Sequence, residues 1–228
     1  MIEIIPVLDL MSFTAVSGKS GNRDSYTPLK TIFASDSEPI SITNNLKLNG
    51  AKQLYIADLD LIEKKGHNLD KIKMLNTILP VMLDSGIKDI KSFDFYLDYA
   101  TKLIVATETL ESIEELYKIF DKYPKERIVV SIDIKNNNIL SKNFEIGLNE
   151  FKKNLIEINP NEIILLDISS VGTEKGFNKT LLNNFSYFKD KLIIGGGINK
   201  KEIHELENLG IKKALVGSAL HNGDIKII

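Results

Sequence analysis

The sequence contains no cysteine and almost no excess of either charge, and these absences set the first limits on its function. Without cysteine the chain has no disulfides, no thiolate metal sites and no cysteine nucleophile, which fits a reducing compartment. Its 29 basic and 31 acidic residues give a net charge of −2. No overall positive field therefore exists to hold nucleic acid or an anionic membrane surface, although a local basic pocket is compatible with this balance.

Long apolar segments are missing as well. The apolar runs reach about five residues, whereas a helix that spans a bilayer needs about 20. Residues Met1–Pro6 contain no basic segment followed by a long apolar run, so no secretory signal is expected. The 228 residues are 43% hydrophobic and 26% charged, which is ordinary for a globular domain with a sizeable core. We expect a cytoplasmic protein without nucleic-acid or membrane partners.

Short runs rich in Ile, Val and Leu alternate with amphipathic stretches along the whole chain. The runs are mostly continuous, which is typical of strands buried on both faces in a parallel sheet. The eight runs are Ile2–Leu8, Gln53–Ala57, Val81–Leu83, Leu103–Ala106, Ile128–Ile134, Ile163–Leu166, Leu192–Ile194 and Ala214–Val216. Helical spacing of apolar residues predicts helices over Leu110–Phe120, Phe151–Ile158 and Ile203–Leu209. This alternation predicts one (βα)8 TIM barrel over residues 1–228, with a doubly wound open sheet as the alternative.

Similar segments recur in the two halves of the chain. Three pairs are separated by about 110 residues: Ile56–Leu59 with Leu165–Ile168, Asp84–Ile87 with Gly195–Ile198, and Leu103–Thr107 with Ala214–Ser218. They predict two fused half-barrels, about 1–122 and 123–228, of four βα units each. A fourth pair, Pro6–Leu10 with Val130–Ile134, has a wider spacing. The wider spacing predicts a long loop after the first strand, roughly residues 11–33.

Two glycine-rich turns follow the seventh and eighth apolar runs, and each precedes a predicted helix. Glycine lets the backbone approach an anion closely, and the N–H groups at helix starts favour phosphate. Barrel enzymes often hold a substrate phosphate after these two strands. We therefore predict a phosphate site formed by Gly196, Gly197, Gly217 and Ser218. The alternative is that tight turns simply require glycine.

Four aspartates end predicted strands. Asp9 and Asp133 end the first and fifth strands, which face each other across the mouth of an eight-stranded barrel. Two opposed carboxyl groups can act as general acid and general base when their environments separate their pKa values. Asp58 and Asp167 end the second and sixth strands and are candidates for substrate binding. The alternative for each aspartate is a cap on the segment that follows it.

The three histidines give no sign of a metal or cofactor. His67, His204 and His221 are scattered and show no metal-ligand spacing, and His204 is expected on the surface of a helix. No nucleophile elbow is present, and the glycine turn does not match the dinucleotide-binding spacing. We therefore predict no metal and no cofactor.

Five motifs taken in order resemble the ProFAR isomerase (HisA) family of histidine biosynthesis, whose sibling is the cyclase subunit of imidazole glycerol phosphate synthase (HisF). The motifs are Ile5–Leu10, Ala57–Asp60, Ser131–Lys135, Gly195–Ile198 and Val216–Leu220. The resemblance covers nearly the whole chain and implies a (βα)8 barrel of two fused halves. It implies a substrate with a phosphate at each end and an Amadori rearrangement of an aminoaldose to an aminoketose. In the family pattern Asp9 and Asp133 match the catalytic acids.

One departure from the family pattern concerns the turn after the third strand. The family has Gly-Gly-Gly-Ile-Arg there, and this chain has Asp84-Ser85-Gly86-Ile87-Lys88. A carboxylate in a phosphate turn repels the ligand. The first of the two phosphate sites is therefore expected to be altered or lost.

A second departure concerns the segment after the sixth strand. Leu166 stands where the family has threonine, and Val171 stands where it has a third aspartate. Valine neither transfers a proton nor accepts a hydrogen bond. Gly172 and Thr173 match the family and are expected to contribute to substrate binding.

The long first loop carries a basic segment with Lys19, Gly21, Arg23, Tyr26 and Lys30. It resembles a Gly-x-Arg-x-x-Tyr-x-Pro pattern of HisA-related proteins. Lys19 and Arg23 are candidates for holding an anionic group of the substrate, and a solvated loop is the alternative.

Together these features predict a HisA-like isomerase that acts on a small phosphorylated sugar or aminosugar. Asp9 and Asp133 would be its acid and base, and its activity in the histidine pathway is expected to be low. One alternative is a catalytically inactive or regulatory barrel that binds a phosphorylated ligand. Another is a lyase or cyclase on the same scaffold. The sequence leaves the oligomeric state open.

Overall fold

A closed parallel barrel forms the centre of the molecule. The computed structural model describes residues 1–17, 26–171 and 176–227. Its strands are β1 (Glu3–Met11), β2 (Thr14–Ser17), β3 (Thr27–Pro28), β4 (Leu54–Asp58), β5 (Val81–Asp84), β6 (Lys102–Ala106), β7 (Ile128–Lys135), β8 (Asn138–Ile139), β9 (Ile163–Asp167), β10 (Leu192–Gly195) and β11 (Lys213–Val216). The parallel strands follow the ring order β1-β4-β5-β6-β7-β9-β10-β11, and β11 pairs with β1. The predicted TIM barrel is confirmed, and the open sheet is wrong.

Helices follow the barrel strands and cover the outside of the sheet. They are α1 (Pro39–Leu48), α2 (Leu59–Ile62), α3 (Leu69–Ile78), α4 (Ile90–Tyr96), α5 (Ile113–Lys122), α6 (Leu148–Ile158), α7 (Lys179–Asn184), α8 (Lys200–Asn208) and α9 (Ser218–His221). The sequence placed the start of α5 at Leu110, three residues too early. Leu110 is buried in the loop before the helix, and its N–H bonds to the carbonyl of Ala106 at 3.1 Å.

Two apolar layers follow from the alternation of side chains along strands that are buried on both faces. One layer packs between the sheet and the helices, and its members include Leu8, Ile56 and Val130. The other fills the inside of the barrel with Ile5, Tyr55, Ala57, Leu59, Met82, Ile104, Ala106, Val129, Ile164, Ile193 and Leu215. The continuous apolar runs of the sequence reflect this double burial.

The segment after β1 is partly a hairpin rather than the long loop that the sequence predicts. β2 pairs antiparallel with β1, with Asp9 opposite Val16, and β3 pairs with β2. Ser12 and Phe13 make the turn with φ values of 50° and 63°. The sequence has no glycine or asparagine at this turn to indicate the hairpin. The hairpin brings Val16 and Ser17 over the carboxyl end of the barrel.

The two turns that the repeat equates agree at one position and differ at its neighbour. Gly86 after β5 and Gly197 after β10 have φ values of 69° and 67°, whereas Gly196 has a φ of 103° and its counterpart Ser85 does not have a positive φ. The division into two fused half-barrels stays a prediction. Within the described ranges, no helix combines the length and the apolar character needed to cross a membrane.

Candidate active site

A cavity of about 860 Å³ opens at the carboxyl ends of the strands, where barrel enzymes carry their chemistry. Its wall comes from β1, the β2–β3 hairpin and the segments after β9, β10 and β11. The wall includes Asp9 and all four predicted phosphate residues, Gly196, Gly197, Gly217 and Ser218. The fold thus brings one candidate catalytic acid and the candidate phosphate turns into the same space.

Gly196 and Gly217 have different physical reasons to be glycine. Gly196 has a φ of +103°, and a Cβ there would lie 2.6 Å from the carbonyl oxygen of Asp167. Packing against the β9 segment therefore requires glycine at 196. A Cβ at Gly217 would have its nearest neighbour 3.9 Å away, at Val7. Neighbouring atoms leave space at 217, and this space belongs to the cavity.

The helices after the two glycine turns differ at their N-termini. In α8, Asn199 accepts hydrogen bonds from the N–H groups of Lys201 and Glu202, at 3.0 and 3.3 Å. Glu202 in turn accepts from the N–H of Asn199 at 3.2 Å, which completes a capping box. For α9, no side chain in the described part of the chain forms a cap. An anion at the β10 turn would therefore meet glycine backbone, whereas at β11 it would meet an uncapped helix start.

Asp133 lies on β7, opposite β1 in the ring, but it is buried and is not part of the cavity wall. Its carboxylate accepts a hydrogen bond from the Ser131 hydroxyl at 3.1 Å. Burial raises the pKa of Asp133 to about 7, and the charges of Asp84 and Glu108 add to this effect. A carboxyl group with this pKa exchanges its proton near neutral pH, as an acid–base catalyst must.

Asp84 and Tyr55 form a hydrogen-bonded pair beside Asp133. The Tyr55 hydroxyl donates to Asp84 Oδ2 at 3.3 Å, while Asp84 Oδ1 accepts from the N–H of Gly86 at 3.1 Å. Tyr55 is buried inside the barrel, and its ring lines the cavity. Burial raises the pKa of Tyr55 well above its usual value, and the charges of Asp84, Asp9 and Asp133 raise it further. The phenol therefore keeps its proton at neutral pH.

Sequence reasoning missed Tyr55. Its only signal is an aromatic residue at an inward position of a strand that is otherwise aliphatic, Leu54–Asp58. That pattern also describes an ordinary core residue, so it does not single out a functional group.

Asp58 and Asp167 form hydrogen bonds with the segments that follow them, and neither residue is part of the cavity wall. Asp58 is fully buried and accepts hydrogen bonds from the N–H groups of Leu61 and Asn68, at 3.2 and 2.7 Å. Asp167 accepts from the N–H of Ser169 at 3.0 Å and from the hydroxyl of Ser170 at 3.1 Å. Both aspartates thus have the capping role that the sequence held as the alternative to substrate binding.

Four predicted site residues lie outside the described residues: Lys19, Arg23, Gly172 and Thr173. Lys30 is exposed and lines the cavity, so a cation of the first loop does reach the site. Leu166 and Val171 also line the cavity and make that part of its wall apolar.

His221 is a further cavity residue whose importance the sequence did not indicate. Its Nε2 lies 2.9 Å from the carbonyl oxygen of Val7, and its Nδ1 lies 2.9 Å from the hydroxyl of Thr31. A carbonyl only accepts, so Nε2 carries the proton and Nδ1 accepts from Thr31. Burial lowers the pKa of His221, which keeps the ring neutral. The ring links α9 to β1 and to the first loop.

In the described ranges, no three acidic or histidine side chains form a metal-binding group.

The family model described as "Histidine biosynthesis protein" matches residues 3–226. The chain belongs to this family. Among its relatives in the family is an uncharacterized protein of Methanocaldococcus jannaschii, 41% identical over 231 residues, which cover 97% of this chain and 94% of the relative. A relative from Listeria monocytogenes is 28% identical over 236 residues, which cover 99% and 95% of the two chains.

Several relatives carry the name of one isomerase. The Listeria protein and one from Desulforudis audaxviator, 26% identical over 239 residues, are both named 1-(5-phosphoribosyl)-5-((5-phosphoribosylamino)methylideneamino)imidazole-4-carboxamide isomerase. The Desulforudis alignment covers 98% of this chain and 88% of the relative. The resemblance inferred from the motifs is thus confirmed. At the coarse level, this is a family of isomerases on a TIM-barrel scaffold.

Asp133 supplies a test based on stability. Its folded-state pKa of about 7 is above the usual aspartate value of 3.8. The folded state therefore binds the proton more tightly than the unfolded chain does, and stability falls as pH rises between these two values. Asp133→Asn removes this loss and is expected to raise the free energy of unfolding at pH 8 by a few kcal/mol, and by much less at pH 5. Urea unfolding at both pH values measures the difference.

The matched control for this test is Asp190→Asn, because Asp190 is exposed. The control is expected to shift stability equally at both pH values. A gain for Asp133→Asn that is the same at pH 5 and pH 8 would contradict the raised pKa.

Proposed function

We propose that this chain is an isomerase of a small phosphorylated sugar or aminosugar. The observation that carries the proposal is the single cavity that joins Asp9 to the glycine turns after β10 and β11. A phosphate held at these turns would place the attached sugar over the barrel mouth, where Asp9 lies. The family's isomerase relatives support the reaction class.

The proposed chemistry is an Amadori-type rearrangement that uses two carboxyl groups in different protonation states. A carboxyl that carries a proton near neutral pH can assist opening of the sugar ring, and an ionised one can remove a proton from the adjacent carbon. Asp133 has the raised pKa that the acid needs. Asp9 borders the cavity, where a base must meet the substrate.

The substrate is proposed to carry its phosphate at one end only. At the β10 and β11 turns the cavity wall is backbone and a serine hydroxyl, which suits an anion. At the equivalent β5 turn, Asp84 itself accepts a hydrogen bond from the N–H of Gly86 at 3.1 Å. The negative charge of this carboxylate would repel a second phosphate at the turn.

We also propose that the substrate differs from the one in the names of the isomerase relatives, which contains two phosphoribosyl groups. Besides the altered β5 turn, Leu166 and Val171 present apolar side chains to the cavity. Neither side chain can donate or accept a proton. These two features distinguish the proposed activity from that of the named relatives.

Anion binding can be tested with Ser218→Asp. The new carboxylate would lie on the cavity wall beside the proposed phosphate. Its fixed negative charge would repel the phosphate. Affinity for ribose 5-phosphate, measured by calorimetry, is expected to fall at least tenfold, which corresponds to about 1.4 kcal/mol. The control is Ser186→Asp, which adds the same charge at an exposed position. Equal affinity in the two variants would refute the site.

The catalytic assignment can be tested with Asp9→Asn. The amide keeps the size of the side chain but cannot act as a base, so turnover of a phosphorylated aminoaldose is expected to fall about 100-fold or more. Affinity for ribose 5-phosphate should stay within a few-fold of wild type, because the glycine turns are untouched. Full turnover in the variant would show that Asp9 is not the base. A wild-type protein that binds the phosphate but turns nothing over would instead favour the regulatory barrel.

Activity on the doubly phosphorylated ribotide of the named relatives is expected to be small or absent. A missing positioned acid costs on the order of 10²–10⁴ in rate. Val171→Asp alone should not restore it, because Asp84 still occupies the β5 turn. Val171→Asn is the matched control for a polar side chain without an acid. Wild-type turnover of roughly 1 per second or more, an ordinary enzyme rate, would contradict this expectation.

A further inference from the structure

Five neighbouring strands place acidic and small side chains on the inner face of the barrel mouth. Asp9 on β1 is in register with Ala57 on β4, and Ala57 is in register with Asp84 on β5. Alanine also ends β6, at Ala106, before the ring reaches Asp133 on β7. Because alanine is small, it leaves space between the carboxyl groups. The Tyr55 ring lies two residues below Ala57 on the same inner face, and its hydroxyl reaches Asp84.

Tyr55 connects Asp84 to the cavity. Tyr55 and Asp9 border the cavity, whereas Asp84 and Asp133 are not part of its wall. The Tyr55 hydroxyl donates to Asp84 at 3.3 Å, so one hydrogen bond links the cavity side to this half-buried acid. Leu166 and Val171 offer the substrate no proton on their part of the wall. A proton that a bound substrate takes from Asp84 would therefore pass through Tyr55.

We propose that the Tyr55 hydroxyl passes a proton between a substrate oxygen in the cavity and Asp84. Asp84 and Asp133, on β5 and β7 with β6 between them, are then the acid pair of the site, and Tyr55 is the group through which the substrate receives their proton. This inference rests on the proposed isomerase function and adds to it a catalytic residue and a route for the proton.

For a phosphorylated aminoaldose, the reaction begins with two coupled proton transfers. A carboxyl proton of the pair moves to the Tyr55 oxygen while the Tyr55 proton moves to the ring oxygen of the sugar. The bond between this oxygen and C1 breaks, its electrons stay on the oxygen, and the nitrogen lone pair forms the C=N bond. Asp9 then takes the proton from C2. The Asp9 proton ends on C1, and the C2 hydroxyl releases its proton to solvent water as the ketone forms. The half-buried Asp84 takes a proton back from the solvent, which restores the pair and leaves the aminoketose.

The protonation states in the structure agree with these roles. Tyr55 stays a phenol because burial and the surrounding carboxylates raise its pKa well above the usual value. Asp133 has its pKa raised to about 7 by burial and by the charges of Asp84 and Glu108, so this member of the pair carries a proton near neutral pH. The charged groups around them are Asp9, Asp84 and Glu108. Among the described cations, Lys142 is paired with Glu108 at 2.7 Å, and Lys30 lines the cavity.

Tyr55→Phe is the direct test, because it removes the hydroxyl and keeps the ring in the core. The substrate probe is N-phenyl-5-phosphoribosylamine, an aminoaldose with one phosphate and a closed ring. Turnover by the variant is expected to fall about 100-fold or more, the scale of a general acid. The matched control is Tyr117→Phe, whose hydroxyl bonds to Asn154 at 3.2 Å and to Glu157 at 2.6 Å on the outside of the barrel. The control should keep wild-type turnover.

A second measurement separates proton relay from simple positioning. The aminoketose product has an open chain, so exchange of its carbon-bound hydrogen in heavy water needs the base but no ring opening. Tyr55→Phe is expected to retain this exchange within a few-fold of wild type. Wild-type turnover should fall above a pKa near 7 as the pair loses its proton, and the variant should lack this basic limb.

The possible results are distinguishable. Tyr55→Phe turnover equal to wild type, or an equal loss of turnover and exchange, overturns the relay and leaves the proposed function standing. If Tyr55→Phe does not fold, Asp84→Asn decides the question, because it leaves the tyrosine in place and should also abolish the basic limb. A wild-type protein that binds the probe without turnover or exchange overturns both the proposed function and the relay.

Discussion

The parallel pairing of β11 with β1 is the contact on which the candidate site depends. Pro6 is in register with Val216, so the chain enters Gly217 and α9 directly beside the strand that carries Asp9. His221 strengthens this contact, because its ring bonds to the Val7 carbonyl on one side and to Thr31 on the other. If β11 did not close the ring, the Gly217 turn and Asp9 would belong to separate edges of a sheet.

The resulting site has an uneven distribution of charge. The side of the site formed by β1, β5 and β7 carries Asp9, Asp84 and Asp133. Burial raises the pKa of the Tyr55 phenol, and the charges of these three residues raise it further. The β10 and β11 side offers glycine backbone and the Ser218 hydroxyl. Under the proposed function, a ligand with one anionic end would lie with that end at the glycine turns, because the carboxylates would repel it from the opposite side. Electrostatics thus sets the direction in which a phosphorylated ligand would lie.

The turns after β5 and β10 share part of their backbone form and differ in chemistry. Gly86 and Gly197 have nearly the same φ, 69° and 67°, but Gly196 has a φ of 103°, whereas Ser85 at the matching position does not have a positive φ. At β5, Asp84 accepts a hydrogen bond from the N–H of Gly86 at 3.1 Å. At β10, a Cβ on residue 196 would lie 2.6 Å from the carbonyl oxygen of Asp167. The two turns thus differ in backbone as well as in side chain, and the β5 turn contains a carboxylate of the chain itself.

The sequence by itself determined the barrel, the glycine turns and the candidate acids Asp9 and Asp133. Strand periodicity, turn glycines and residues at strand ends are local signals, and each can be recognised within a few neighbouring positions. Only the tertiary structure decided that Asp58 and Asp167 cap neighbouring segments, and that His221 lines the cavity. It also decided that Tyr55 lies between the cavity and Asp84. The roles of His221 and Tyr55 depend on contacts between segments that are far apart in sequence, and on burial, which sets the protonation of each group. The caps of Asp58 and Asp167 are local contacts, but a strand-end aspartate has the same sequence pattern whether it caps or binds a ligand.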